Sequence, residues 1–253
     1  GRKSNCFGWQ PSYPETTGYI IPTFINAAKI LCDNDLLRRA QLMADWELNI
    51  MFPNGSVLGG HLGTPPHPVI FNTGQVIRGL HAVYKETKKK CYLDRALLSA
   101  NWILKNEHNK EGKWSTFGSS SVSKEALVHN IYAITPVISL GIETGHEEFK
   151  KIGERAGNFT ISMQNDVGWF RNCDFGNKDD ALLHPIAYTV DGLWDAGNLL
   201  NNQKFILAAK NALDRILLKM DEKGFIPGRL DKNWRGTVDW ACLTGIAQIG
   251  ITA

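Results

Sequence analysis

Asn54-Gly55-Ser56-Val57, Glu111-Gly112-Lys113-Trp114, Val167-Gly168-Trp169-Phe170 and Lys223-Gly224-Phe225-Ile226 are four versions of one short phrase. Their glycines stand 57, 56 and 56 residues apart. In each, a residue that tolerates a left-handed turn is followed within two positions by an apolar or aromatic side chain able to dock a loop. A period of this length means that every unit holds a supersecondary motif too small to cover its own apolar face. Such units stack on their neighbours.

Outward from each glycine the apolar spacing is helical twice over, first in an apolar segment rich in small residues and then in a more amphipathic one. The pattern predicts helices from about Thr17 to Leu31, Asp35 to Met51, Thr73 to Tyr84, Tyr92 to Asn106, Ala126 to Leu140, His146 to Met163, Ala187 to Leu200 and Gln203 to Met220. A ninth runs from Asp239 to Ile251. The first helix of each pair is apolar nearly all round, as in Ile131-Tyr132-Ala133-Ile134, whereas the second carries charge on one face. That contrast predicts an inner and an outer ring. Links within a pair are short and polar (Cys32-Asp33-Asn34, Asn201-Asn202), while links between pairs are long (Pro53 to Pro68, Asn109 to Ser123, Asn165 to Pro185, Glu222 to Gly236). Long loops in a compact fold are commonly functional, and parallel inner helices gather them all on one rim.

The expected fold is therefore all-α: an (α/α)n toroid of helical hairpins forming a single domain over residues 1–253. About four and a half hairpins are present, because the fifth stops after its first helix. This points to an incomplete barrel truncated at its C-terminal side. The uncovered fifth inner helix calls for the remainder of a longer chain or for self-association.

Composition narrows the partners. The chain has 253 residues, 43% hydrophobic and 21% charged, with a net charge of +3. It has no run of about 18 apolar residues, and its one basic cluster, Lys88-Lys89-Lys90, has no interleaved aromatics. Neither a nucleic-acid nor a membrane partner is expected. Five scattered cysteines (Cys6, Cys32, Cys91, Cys173 and Cys242) fit free thiols and a cytoplasmic location. No cofactor or metal set is expected.

Architecturally the chain resembles the (α/α) toroid proteins: six-hairpin glycosidases, toroidal polysaccharide lyases, sugar epimerases, and the terpenoid-cyclase and prenyltransferase group. That resemblance implies fold and leaves the reaction open. The acidic motif of the terpenoid cyclases is absent, since Asp179-Asp180 follows Asn177-Lys178. Asp239-Trp240-Ala241-Cys242 only loosely echoes a prenyltransferase zinc site.

Polar residues at the openings of apolar helices are the candidate chemistry. Glu15, His129, Tyr132, His184, Tyr188 and Asp191 are the catalytic candidates. Trp9, His67, Asn72, Trp114, Asn130, Trp169, Trp194, Asp239 and Trp240 are the candidates for holding substrate, the indoles by stacking on sugar rings. Glycoside hydrolysis needs a protonated carboxyl and a second carboxylate. Elimination from a uronate, or epimerisation, needs proton transfer by groups such as His and Tyr. The expectation is a carbohydrate ligand, with a uronate-containing polysaccharide or oligosaccharide cleaved by hydrolysis or β-elimination at the inner-helix N-termini. A non-catalytic glycan- or protein-binding scaffold, or an isoprenoid-processing domain, is the alternative.

Overall fold

The structure is a computed structural model that describes residues 11–118, 126–174 and 180–253, together with the backbone of residues 3–4 and 8–9. Cys6, the Asn177-Lys178-Asp179 run and the indole of Trp9 lie outside the described residues. Nine α-helices are present among the residues described, and the chain divides into two compact units, Gly1–Asn106 and Glu107–Ala253.

The first unit holds α1 (Pro14–Leu31), α2 (Asn34–Ile50), α3 (Ile70–Thr87) and α4 (Lys90–Lys105), preceded by the two-residue strands β1 (Lys3–Ser4) and β2 (Gly8–Trp9), which pair with each other. α1 packs on both α2 and α3, and α3 packs on α4. The short links behave as read from sequence. Cys32 takes a left-handed conformation (φ 52°) to end α1, and the Asp33 carboxylate then accepts a hydrogen bond from the Asp35 amide (2.8 Å) to begin α2. Gly18 and Gly79 let α1 and α3 approach closely: a Cβ on Gly18 would lie 2.6 Å from the Gln75 carbonyl oxygen, and one on Gly79 would lie 2.5 Å from that of Gly18.

The second unit holds α5 (Asn130–Thr144), α6 (Glu147–Ser162), α7 (Leu183–Leu200), α8 (Gln203–Leu217) and α9 (Leu243–Thr252), with β3 (Asp180–Leu182) antiparallel to β4 (Arg229–Asp231). α7 is central, touching α5, α6, α8 and α9. Helical periodicity gives no sign of β3 and β4, because three residues are too few to carry a pattern. They nonetheless tie two of the long loops together. Arg229 adds a second tie by bonding both Asp180 (2.8 Å) and Asp174, while Thr237 donates to the other oxygen of Asp180 (2.5 Å).

Five boundaries move so as to relocate a candidate residue: α1 begins at Pro14 rather than Thr17 and takes in Glu15, and α3 begins at Ile70 rather than Thr73 and takes in Asn72. α5 begins at Asn130 rather than Ala126, because the Val128 amide donates to the Asn172 carbonyl and holds that stretch outside the helix. His129 is thus its N-cap. α7 begins four residues earlier than expected, directly after β3, and so takes in His184 and Pro185. α9 begins at Leu243 rather than Asp239, because residues 227 and 241 form a β-bridge that keeps the intervening approach extended.

Three of the four repeated glycines perform a common task. All four have positive φ, at 89°, 69°, 89° and 81° for Gly55, Gly112, Gly168 and Gly224. The Gly55 turn lies against α4, where Ser99 Oγ donates to the Gly55 carbonyl (2.6 Å). The Gly112 turn lies against α6: its amide donates to Glu107 Oε1 (2.7 Å), and Glu107 in turn receives two bonds from Arg155 (2.7 Å each). Gln164 bridges the Gly168 carbonyl (3.0 Å) and the Ala208 carbonyl of α8 (2.9 Å). Each of these three turns is clipped to the second helix of the following hairpin.

One buried group works against this architecture. Glu47 on α2 is fully buried, neither carboxylate oxygen has a hydrogen-bond partner among the described residues, and burial holds its carboxyl well above the ordinary carboxylate range. The fold therefore prefers the protonated form, so its stability is greatest below the unfolded carboxyl value and declines as pH rises toward the folded one. Replacing Glu47 with Leu raises the melting temperature at pH 8 by about 2–8 °C, with a smaller gain at pH 5. Thermal melts at the two pH values check this, and an equal gain at both would sink the explanation.

Candidate functional site

In the first unit the polar groups converge at the N-terminus of α1. Tyr13 is its N-cap and Glu15 lies in its first turn. The loop after α2 folds back over this end: the Leu62 amide donates to the Ser12 carbonyl (3.4 Å), His61 Nδ1 lies 3.2 Å from the Pro11 carbonyl oxygen, and the His61 ring stands 5.3 Å from that of Tyr13. Asn72, buried in the first turn of α3, donates to the Leu58 carbonyl (3.1 Å) and hydrogen-bonds Tyr13. The Tyr13 hydroxyl also bonds Glu15.

Electrostatics at this end are unusual. A helix N-terminus ordinarily favours a carboxylate, yet Glu15 is pushed up to about 7 because burial outweighs the hydrogen bond from Tyr13. Tyr13 is raised as well, first by burial and then by the charge of Glu15. The pair is a carboxyl that keeps its proton in about half of the molecules at neutral pH, steered by a phenol. Farther along α3, Gln75 Oε1 accepts from Nε of the half-buried Arg78 guanidinium (3.1 Å).

In the second unit, α7 presents His184, Tyr188, Asp191 and Asp195 at helical spacing on one side. The His184 ring lies 4.2 Å from that of Tyr188, and Tyr188 stacks on Tyr132 of α5 at 4.7 Å and 25°. Gly192 makes that stacking attainable, since a Cβ there would sit 2.5 Å from the Tyr132 amide nitrogen. Gly245 likewise brings α9 against the start of α7, so that Gln248 donates to Asp191 Oδ2. His129 is buried and falls to about 3, through burial first and the charge of His184 second. Burial also lowers His184, which is half-exposed and whose Nδ1 lacks a hydrogen-bond partner among the described residues. Both imidazoles are neutral at pH 7, and His184 is the accessible one. Asn130 is buried beside His129.

The candidates for holding substrate divide. Trp114 and Trp169 are buried (1% and 5% exposed), so their rings anchor loops and offer no face to a sugar. Trp234 does the same, donating from Nε1 to the Val167 carbonyl (2.8 Å). Trp240 is 46% exposed and Trp194 half-buried, and both retain accessible ring surface. His67 is exposed in the loop before α3, where its carbonyl accepts from the Gly59 amide (2.7 Å). Asp239 is exposed in the loop before α9. Asp239 does not stand on the helix that the spacing had implied, whereas His67 lies in the long link in which it was read. Arg78, Asp195 and Gln248 were absent from the candidate set, whereas Tyr13 had been read beside Glu15 at the opening of the first inner helix. Asp195 extends the polar spacing of α7 and was legible there; Gln248 is recognisable only through its contact. Among the described residues no group of three or more His, Cys, Asp or Glu side chains is gathered as a metal-binding set.

No protein-family model and no curated protein sequence matches the chain. Solved structures do. An unsaturated glucuronyl hydrolase specific for heparin superposes with a TM-score of 0.68 at 14% identity, over 85% of this chain and 59% of that one. Cellobiose 2-epimerase from Bacillus thermoamylovorans B4167 gives 0.69 at 12% identity, over 93% and 69%. A GH76 α-mannanase from Bacteroides thetaiotaomicron gives 0.68 at 13% identity, over 94% and 67%. The chain thus spans about three fifths to seven tenths of the length of these structures. At such identities the likeness is one of fold, and the fold of this chain is that of the all-α (α/α) toroid proteins.

Proposed function

We propose that the protein processes a carbohydrate, and that its reaction is hydrolysis of an acidic oligosaccharide with Glu15 as proton donor. The observation that carries this reading is the half-buried carboxyl at the start of α1, raised to about 7 and bonded to the Tyr13 hydroxyl. A glycosidic oxygen leaves only when it is protonated, and an ordinary carboxylate has surrendered its proton at neutral pH. Asn72 supplies a fixed polar neighbour. Arg78 fits the carboxylate of a uronic acid, since guanidinium and carboxylate match in a planar fork. The glucuronyl hydrolases and mannanase among the similar structures support a carbohydrate substrate.

A second reading rests on a different observation. His184, Tyr188 and Tyr132 form a continuous ring contact beside a neutral, accessible imidazole, a set suited to abstracting and returning a proton, as elimination or epimerisation requires. Incubation with a panel of uronate-containing and neutral oligosaccharides separates the two. Hydrolysis yields new reducing ends without the absorbance of an unsaturated sugar, whereas elimination yields both, and epimerisation yields neither but changes the sugar released by acid. Arg78→Ala raises KM for a uronate substrate about tenfold and leaves a neutral one unchanged. Tight binding without turnover across the panel would replace all of these with a glycan-binding role.

A further inference from the structure

At the opposite end of α1 from Glu15 lies a surface that the proposed reaction does not use. Ile30 and Leu31, the last two residues of the helix, are 81% and 66% exposed. The Lys29 ammonium pairs with Glu86, which fixes this end of α1 beside the end of α3. There the chain runs through Lys85, Lys88, Lys89 and Lys90, all exposed and, among the described residues, none ion-paired. Lys88 ends α3 in a left-handed conformation with its ammonium 5.6 Å from the centre of the Tyr84 ring, Lys89 caps α4, and Lys90 opens it. Of the nearby acids, Glu86 is held by Lys29, Asp35 by Arg38 and Arg39, and Asp33 by the α2 cap; only Asp94 stands outside these pairings. Two protruding aliphatic side chains are thereby flanked by four uncompensated lysines.

We infer that this end of the first unit docks on an anionic lipid bilayer, with Ile30 and Leu31 entering the headgroup region and Lys85, Lys88, Lys89 and Lys90 meeting lipid phosphates. Charge complementarity selects an anionic surface, at about a fivefold gain in affinity for each lysine brought near it. The aliphatic pair selects a bilayer over a soluble polyanion such as a uronate polymer, which would bind the lysines and gain nothing from Ile30 and Leu31. Sequence separates the two components by almost 60 positions, so neither registers as a membrane element when read alone. α1, with its 18 residues, would set the Glu15 end about 27 Å along the helix from the lipid contact, leaving that end open to water.

The test is co-sedimentation of the 253-residue chain with vesicles of pure phosphatidylcholine and of phosphatidylcholine mixed with phosphatidylglycerol. The anionic vesicles retain the protein at low salt and the neutral ones do not. Lys88→Ser, Lys89→Ser and Lys90→Ser together lower binding about a hundredfold. Ile30→Ser with Leu31→Ser, at unchanged charge, lowers it about tenfold. Unaltered melting temperatures establish that these exposed substitutions leave the fold intact. The inference is overturned by absence of binding to the anionic vesicles, by vesicle binding that the aliphatic pair does not affect, or by retention on an immobilised uronate polymer without any on vesicles.

Discussion

Glu15→Gln lowers the rate of oligosaccharide hydrolysis by about 10²- to 10⁴-fold, the contribution expected of a positioned proton donor. The side chain keeps its shape and its hydrogen bond from Tyr13 but has no proton to give. The pH dependence makes the assignment specific. A donor with a folded value of about 7 is in its active, protonated form below that pH, so kcat/KM falls tenfold per unit above it. In the Gln variant that alkaline limb disappears. The variant also melts no lower than the parent at pH 8: the folded value of Glu15 is raised, so ionisation above pH 7 costs stability that an uncharged amide does not lose. A Gln variant with activity within threefold of the parent would remove Glu15 from the chemistry and leave the His184 and Tyr188 array as the site to pursue.

Gly112→Ala should be the most damaging single methyl addition among the four repeated glycines. An added Cβ would lie 2.1 Å from the Arg155 carbonyl carbon and 2.3 Å from the Ala156 amide nitrogen, so α6 would have to move. Moving it disturbs the bonds among Gly112, Glu107 and Arg155, in which the carboxylate side chain is only 1% exposed. Left-handed strain, backbone overlap and a weakened buried ion pair together cost about 4 kcal/mol or more. Gly224→Ala is the control. It shares the left-handed backbone (φ 81°), but no atom lies within 4 Å of the added methyl, so only the conformational penalty of about 1–2 kcal/mol remains. Urea unfolding followed by tryptophan fluorescence compares the two. Equal losses would mean that conformation alone, and not the clip onto the following hairpin, makes glycine necessary here.

The glycine period and the doubled helical spacing were readable because both recur over more than 50 residues, long enough for a pattern to stand out. The described helices follow that reading within a few residues at most ends. It failed where a few non-local bonds decide the outcome. His129 was placed inside a helix because nothing in Leu127-Val128 announces the bond to Asn172. Asp239 was placed on a helix because the bridge between residues 227 and 241 joins positions with no common pattern. At the site, residue type was legible and environment was not. Glu15 and Trp114 both stood at suitable positions, yet burial turns one into a proton reservoir and the other into a loop anchor. Burial depends on what lies across from a residue, which the chain order does not state.

The clips have a consequence for how the chain is made. Ser99 reaches Gly55 across 44 residues, Gln164 reaches Ala208 across 44, and Arg155 reaches Glu107 across 48. At the usual pace of synthesis, the partner of each turn leaves the ribosome within roughly 2–10 s of the turn itself. Three of the hairpins can thus be fastened to the loop that precedes them while the rest of the protein is still unmade. Apolar surface awaiting a partner at any moment is then limited to about one repeat, which keeps a growing helical array out of aggregates.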